Sequence, residues 1–221
     1  MKFLTLKKVP VVAWSSVQPL NLRPRLSTLC YLCVGLSVFG LGEATLVSAN
    51  AGVSPWTVLA QGVGREVGMT LGLATLLVSA CVLLLWIPLK QTPGIGTVAN
   101  ALIVSLVIEL SLRVLPQPES IPFQLAQACA GVLLVGLGSG IYLIANLGPG
   151  PRDGLMTGLA SRIDFPIAWV RTTLEIAAVA IGWSLGGTIG LGTVLFAFGI
   201  GPAVSLGLYV VGSSFAVMDA D

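Results

Sequence analysis

Six long runs of apolar residues dominate the chain, and short segments rich in glycine, proline and charge separate them. The runs cover residues 26–49, 67–89, 95–115, 121–145, 167–185 and 191–211. Each has the roughly 17 to 25 residues that a helix needs to cross the hydrocarbon core of a bilayer. The pattern therefore predicts an all-α polytopic membrane protein with six transmembrane helices.

Two shorter segments, 55–64 and 151–162, have helical character but are too short to cross a bilayer. In the second, three apolar side chains share one side and the charged side chains lie elsewhere. This arrangement suits a helix that lies at the membrane interface or forms part of a re-entrant turn. We therefore predict two short non-spanning helices in addition to the six spans.

Composition excludes most soluble classes of protein. The 221 residues are 55% hydrophobic and only 9% charged, whereas a soluble domain carries about 25% charged residues. The net charge of +2 gives no footprint for nucleic acid. Histidine, the usual general base and a common metal ligand, does not occur in the sequence. We expect no metal, no cofactor and no enzymatic activity.

The four cysteines do not change this expectation. Cys30 and Cys33 form a C-x-x-C at the start of an apolar helix without a second pair of ligands, and Cys81 and Cys129 lie within apolar runs. We interpret all four as small core residues rather than as a metal or redox site.

A duplication is visible when the chain is compared with itself at an offset of 96 residues. The offset aligns Gly40-Leu41-Gly42 with Gly136-Leu137-Gly138, Pro55 with Pro151, and the segment 94–98 with 190–194. Such a diagonal indicates two copies of one unit with three spans and one short helix. Because three is odd, the second unit enters the membrane from the opposite face, which predicts inverted repeats.

Lysine and arginine residues predict the orientation and the division of the chain. Residues 1–25 form a basic, proline-rich cytoplasmic tail that contacts the membrane surface, and the two repeats cover 26–120 and 121–221. With this tail inside, nine basic residues face the cytoplasm and only Arg65 and Arg113 face outward. The bias predicts an inner-membrane protein with both termini in the cytoplasm.

The stretch 146–155 joins the fourth run to the second short helix and contains three glycines, two prolines and a charged pair within residues 148–154. These residues cannot continue a helix, whereas Pro151 suits a first helical position and Asp153 a first turn. Free backbone N–H groups at such a start resemble an anion cradle, and Arg152 adds positive charge. A sharp turn alone is the alternative. The candidate ligand or gating residues are Asn146, Gly148, Gly150, Pro151, Arg152 and Asp153.

Apart from Arg113 near the end of its run, the charged residues inside the predicted spans are Glu43, Glu109, Arg171 and Glu175. A charge there costs at least ~2.5–3.5 kcal/mol for a basic or aspartate side chain on insertion scales, so these residues usually face a cavity or a partner. Arg171 and Glu175 are spaced to pair on one helix face, either as a structural neutraliser or as part of a substrate or proton path. Glu43 and Glu109 are candidate proton sites because burial disfavours the charged carboxylate.

Three segments together resemble the YczE branch of the YczE/YyaS/YitT-type bacterial integral membrane proteins. They are residues 146–159, Arg171-Thr172-Thr173-Leu174-Glu175, and 186–193 running on to Ile200-Gly201-Pro202. The resemblance implies a multi-pass bacterial membrane protein of largely unassigned activity. Such proteins often read Gly-Pro-Trp-Asp in the first half, whereas this chain has Ser54-Pro55-Trp56-Thr57.

Two functions fit these observations. The first is a small transporter of the bacterial cell membrane whose path is lined by the four intramembrane charges, with an unknown small molecule as substrate. The second is a membrane scaffold or accessory protein that positions a partner enzyme. The lipid bilayer is a partner in both, and association with a second copy or a partner protein stays open. Nucleic acid is a partner in neither.

Overall fold

The chain is all-helical. A computed structural model describes residues 9–215, which contain eight α-helices and no strand. The helices are α1 (Leu26–Ser48), α2 (Pro55–Val67), α3 (Leu71–Trp86), α4 (Ile95–Ser111), α5 (Ile121–Ala145), α6 (Pro151–Ile163), α7 (Ile167–Ser184) and α8 (Leu191–Ser214). A helix therefore forms within each of the six apolar runs and at both predicted short segments.

Proline and left-handed residues set the bounds of the two short helices. Pro55 and Pro151 each occupy the first helical position, where their missing N–H costs no hydrogen bond. The predicted helix start at Pro151 is confirmed. Gly68 and Asp164, with φ of 69° and 50°, end these helices in the left-handed region. Since α2 continues to Val67, the third helix begins only at Leu71, four residues after the start of the apolar run 67–89.

The helix bounds repeat at the 96-residue offset. The pairs α1/α5, α2/α6, α3/α7 and α4/α8 begin at corresponding residues to within one position. The linkers repeat as well, because Asn50 and Asn146 have φ of 55° and 52°, and Gly52 and Gly148 have φ of 109° and 108°. Both glycines hold a backbone conformation that residues with a side chain rarely adopt.

Contacts between the halves are reciprocal. The two long helices α1 and α5 pack along each other, α2 packs against α7, and α3 packs against α6. The Gly96 N–H donates to the Leu147 carbonyl at 2.7 Å, and the equivalent Gly192 N–H donates to the Ala51 carbonyl at 2.6 Å. The start of the last helix in each half is thereby fixed to the linker of the other half.

One pair of contacts is not reciprocal. Helix α3 packs against α4, but their counterparts α7 and α8 make almost no contact. Gly72 of α3 lies so close to α4 that an added Cβ would approach Ser105 O to 2.7 Å, whereas Gly201 of α8 has open space around it. The second half therefore has a gap where the first half is closed.

Three helices are long and apolar enough to cross a membrane, namely α1, α5 and α8. The bent pair α2 and α3, with a 109° angle at its break, gives a fourth candidate if it counts as one span. The apolar helix α4 has only 17 residues, and α7 has 18 residues with Arg171 and Glu175 among them. By length and composition, the described residues thus contain three or four candidate spans.

Two parts of the chain lie elsewhere than the sequence indicated. The cysteines are exposed on the outer surface of the helices, so their interpretation as core residues is wrong. Residues 9–25 fold over the helix ends, where Trp14 is buried and stacks on Tyr31 with 4.3 Å between ring centroids. Lys2, Lys7 and Lys8 of the predicted basic tail lie outside the described residues.

Candidate functional site

The two short helices direct their N-termini at one space between the halves, which we call the main cavity. Pro55 and Trp56 of α2 line it from one side, and Arg152 and Asp153 of α6, with Gly150 just before that helix, line it from the other. Neither helix has a side-chain cap. Within residues 9–215, the backbone N–H groups of positions 56, 57, 152 and 153 make no hydrogen bond. Helix starts of this kind attract anions.

The main cavity is partly open to the outside and has a volume of about 170 Å³. It lies where equivalent residues of the halves meet, because Asn100 and Phe196 both line it, as do Phe39 and Val135. Its other lining residues are Ser139, Tyr142, Leu143, Met156, Arg171, Glu175, Ile200 and Val204. The wall is apolar and aromatic, and a few polar and charged groups converge on it, as in ligand sites generally.

Glu43 lies beside the main cavity in a smaller pocket that it shares with Trp56, Thr57, Asn100 and Arg152, here called the Glu43 pocket. Its side chain is only 1% exposed. Ser54 and Thr57 each donate a hydroxyl hydrogen bond to Glu43 Oε2 at 2.8 Å. Glu43 Oε1 has no hydrogen-bond partner. A buried carboxylate is thus half satisfied.

Arg152 lines both spaces. Its guanidinium Nη2 is 4.0 Å from Glu43 Oε1, too far for a hydrogen bond, and its Cζ lies 5.6 Å from the centre of the Phe39 ring. The Arg152 side chain donates no hydrogen bond to any described residue. An arginine with all five donors unused is available to a ligand.

Asp153 is the second carboxylate at a short helix. It accepts a hydrogen bond from the Tyr142 hydroxyl at 2.8 Å. The residue equivalent to Asp153 in the first half is Thr57, whose hydroxyl donates to Glu43. A carboxylate therefore lies near the start of each short helix. Glu43 of α1 supplies it in the first half, and Asp153 of α6 supplies it in the second.

Arg171 and Glu175 form the ion pair that their spacing predicted, with 3.0 Å between Arg171 Nε and Glu175 Oε1. Their side chains are 50% and 26% exposed, and both line the main cavity from α7. The pair therefore borders the gap between α7 and α8 rather than a closed helix contact.

Glu109 lies apart from both spaces. Its Oε2 accepts the Gly72 N–H at 3.2 Å, and its Oε1 is 3.4 Å from the Arg113 guanidinium. The Gly72 bond joins α4 to the start of α3, whereas Arg113 follows on from α4 itself. The geometry gives Glu109 a role in closing this helix pair, and its predicted part in a substrate path has no support from the lining of the main cavity.

The first residues of the candidate loop shape the turn. Asn146 ends α5 and donates from Nδ2 to the Ser16 carbonyl at 2.9 Å, while Gly148 supplies the left-handed linker conformation. The Pro151 carbonyl accepts the Trp86 indole N–H at 3.0 Å. Only Gly150, Arg152 and Asp153 of the six candidates line the main cavity.

Sequence reasoning missed several uncharged lining residues. Trp56 is equivalent to the candidate residue Arg152 at the 96-residue offset, so the duplication itself was a signal for Trp56, whereas Asn100 is equivalent to Phe196, which was not a candidate. Tyr142 gave no such signal, because it resembles any aromatic residue within an apolar helix. Within the described part of the chain, no group of three or more acidic, cysteine or histidine residues could hold a metal ion.

Comparison with known proteins places the chain among membrane proteins of unassigned activity. Residues 26–207 match a family of unknown function, DUF6198. An uncharacterized protein of Haemophilus influenzae is 37% identical over 206 residues, which are 93% of this chain and 94% of the relative.

Two Bacillus subtilis proteins are also similar. The uncharacterized membrane protein YczE is 29% identical over 74% of this chain and 77% of its own length. The uncharacterized protein YyaS is 27% identical over 75% of this chain and 84% of its own length. No solved structure matches the chain.

Proposed function

The chain belongs to the DUF6198 family of YczE-type membrane proteins, and we propose that it is a small multi-pass transporter of the bacterial inner membrane. The observation that carries the proposal is the convergence of α2 and α6 on the charged main cavity. Transporters commonly bind substrate at such a place, between repeats and at the N-termini of discontinuous helices.

The proposed membrane arrangement has six spans, formed by α1, α3, α4, α5, α7 and α8. The bend of 109° between α2 and α3 supports a discontinuous segment, in which α2 reaches the cavity without crossing the bilayer. The equivalent helix α6 does so in the second half. With three spans in each unit, the halves are inverted, and the reciprocal contacts of α2 with α7 and of α3 with α6 are those that a two-fold axis requires.

Substrate passage in this proposal uses the asymmetry between the halves. The main cavity is bordered by α7 and α8, which are separated, and it is closed toward α3 and α4, which are packed. Two inverted repeats can exchange these conformations, which would close the cavity on one side of the membrane and open it on the other. Arg171 and Glu175 lie at the open side and would contact the substrate first.

The orientation follows the basic residues. Fusions of a reporter after Asp221 and within residues 90–93 should report the cytoplasm, and fusions near residues 116–119 should report the outside. A C-terminus found outside would contradict both the six spans and the inverted repeats.

Uptake by reconstituted vesicles tests the function directly. Vesicles with the wild-type protein should accumulate at least one member of a panel of radiolabelled metabolites, measured with and without a proton gradient. Vesicles with Glu175→Gln provide the control, because this variant retains the fold and loses a cavity charge. If wild type and Glu175→Gln are equally inactive on the whole panel, the scaffold function becomes the better account.

A further inference from the structure

The main cavity presents hydrogen-bond donors that have no acceptor. The Arg152 guanidinium and the free N–H groups at the starts of α2 and α6 have already been described. The indole Nε1 of Trp56 is a further buried donor without a partner, and Trp56 lines both the main cavity and the Glu43 pocket. A convergence of unused donors fits an acceptor-rich ligand group, namely a carboxylate or a phosphate.

The charge balance of the site opposes an anion that arrives alone. The charged side chains around the two spaces are Glu43, Asp153 and Glu175 against Arg152 and Arg171, which sum to a net charge of −1. An added anion would change this net charge to −2 in a cavity that is only partly open to water. A proton taken up with the anion would keep the balance unchanged, and burial of separated charge is costly.

Glu43 is the residue that can accept this proton. Its Oε2 already accepts two hydroxyl hydrogen bonds, and its Oε1 has none. A metal cation would need several oxygen ligands, whereas Oε1 is the only free oxygen that Glu43 offers. A single proton on Oε1 leaves both bonds to Oε2 in place.

Other titratable groups do not compete for this role. Around Glu43, α6 contributes Arg152 and Asp153, and Asp153 is occupied by the Tyr142 hydroxyl of α5. Helix α7 contributes Arg171 and Glu175, which pair with each other along the same helix where it lines the main cavity. Helices α2, α3 and α4 contribute no charged group to the Glu43 pocket. Among the described residues, Arg152 is therefore the charged side chain that can transfer its interaction from Glu43 to a ligand.

We propose that Glu43 is a proton-binding site and that an anionic ligand group competes with it for Arg152. When the ligand carboxylate or phosphate binds Arg152 and the N-termini of α2 and α6, Glu43 loses the positive charge that lies nearest to it among residues 9–215, and it takes up a proton on Oε1. Release of the ligand returns Arg152 to Glu43 and releases the proton. The inference rests on the proposed transport function and makes it proton-coupled transport of an anion.

Infrared difference spectroscopy of the purified full chain in lipid nanodiscs tests this step without transport. The carbonyl stretch of a protonated carboxyl is distinct from that of a carboxylate. At a fixed pH near neutral, potassium phosphate or potassium succinate should raise the protonated band, and choline chloride at equal ionic strength should not. The band should be lost in Glu43→Gln, which keeps the hydroxyl contacts of Ser54 and Thr57.

A second variant keeps the test decisive if Glu43→Gln does not fold. Arg152→Gln should show the protonated band without any anion, and anion should add nothing to it. Arg162→Gln, the same substitution at the exposed far end of α6, should behave like the wild type. Phosphate active and succinate inactive would assign a phosphate ligand, and the reverse a carboxylate.

The proposal is overturned if both anions leave the band unchanged, if choline raises it equally, or if the band persists in Glu43→Gln. These outcomes are separate from the uptake assay. A Glu43 band that responds to anion in a protein without uptake would refute transport and retain the coupled site. Uptake that is intact in Glu43→Gln and insensitive to a proton gradient would refute the coupling alone.

Discussion

Helix pairs α3/α4 and α7/α8 occupy equivalent places in the two halves, yet only the first pair is in contact. In the closed pair, Gly72 allows close approach, and Glu109 accepts its N–H at 3.2 Å. In the open pair the equivalent residues are Ala168 and Ser205, and no such bond forms there. The repeated set of helices thus has two packings, and the glutamates Glu109 and Glu175 make different contacts accordingly.

The largest effect should follow from filling the space at the closed pair. Gly72→Leu would place side-chain atoms where even a Cβ lies 2.6 Å from Glu109 Cβ, and overpacking of this kind costs ~1–3 kcal/mol or more. We expect a large loss of monodisperse protein after detergent extraction, measured by size-exclusion chromatography. Gly201→Leu at the open pair should be tolerated, because nothing lies within 4 Å. Equal losses in both variants would contradict the difference in packing.

The second prediction distinguishes Glu175 from Glu109 by two measurements, vesicle uptake and thermal stability. Glu175→Gln should abolish uptake and change the melting temperature little, because a partly exposed ion pair contributes only ~0.2–1 kcal/mol. Glu109→Ala should instead leave uptake unchanged and lower stability by ~0.5–1.5 kcal/mol, because the Gly72 N–H loses its acceptor. Uptake lost in Glu109→Ala at unchanged stability would return Glu109 to the substrate path.

The ion pair of α7 can be removed as a unit. The double variant Arg171→Met with Glu175→Leu strands no charge, so it should fold and insert like the wild type. We expect its uptake to be lost, since both side chains line the main cavity. Measuring melting temperature and vesicle uptake on the same preparation distinguishes the two roles. A stable double variant with full uptake would leave the pair as a structural neutraliser only.

The smallest effect on stability is expected at Ala168, the counterpart of Gly72. Ala168 is exposed and its helix hardly contacts α8, so Ala168→Leu should change the free energy of unfolding by no more than ~0.5 kcal/mol. If α7 must approach α8 as α3 approaches α4, the added bulk should still lower the rate of uptake. Ala168→Gly is the matched control and should retain uptake.

The apolar runs and the 96-residue offset predicted the helices well, because both are patterns in the sequence that do not depend on how the helices pack. They could not predict which helix pair is closed, since that depends on a single small residue, Gly72, meeting a particular neighbour. For this reason, the sequence alone does not distinguish Glu109, at the closed pair, from Glu175, at the open pair. The exposed cysteines were predicted wrongly because lipid is as apolar as a protein core. An apolar residue in a span can therefore face either the lipid or the other helices.

The N-terminal segment escaped prediction for a different reason. Trp14 is buried by Tyr31 of α1 and by Phe215 beyond the end of α8, residues that only the fold brings together. The Thr28 hydroxyl also donates to the Trp14 carbonyl at 2.6 Å. Partner groups so distant in sequence leave no local pattern.

Distances between spin labels on the two helix pairs test most directly whether the halves exchange conformations. Labels at cysteines replacing Leu73 and Leu102 report α3/α4, and labels replacing their counterparts Trp169 and Phe198 report α7/α8; all four residues are exposed, and the native cysteines would be changed to serine. In the wild type at neutral pH, we expect the second pair to be farther apart than the first. In Glu43→Gln, or on acidification with succinate or phosphate present, a population with the reverse order should grow. Single distance distributions that stay unchanged under all these conditions would contradict the exchange.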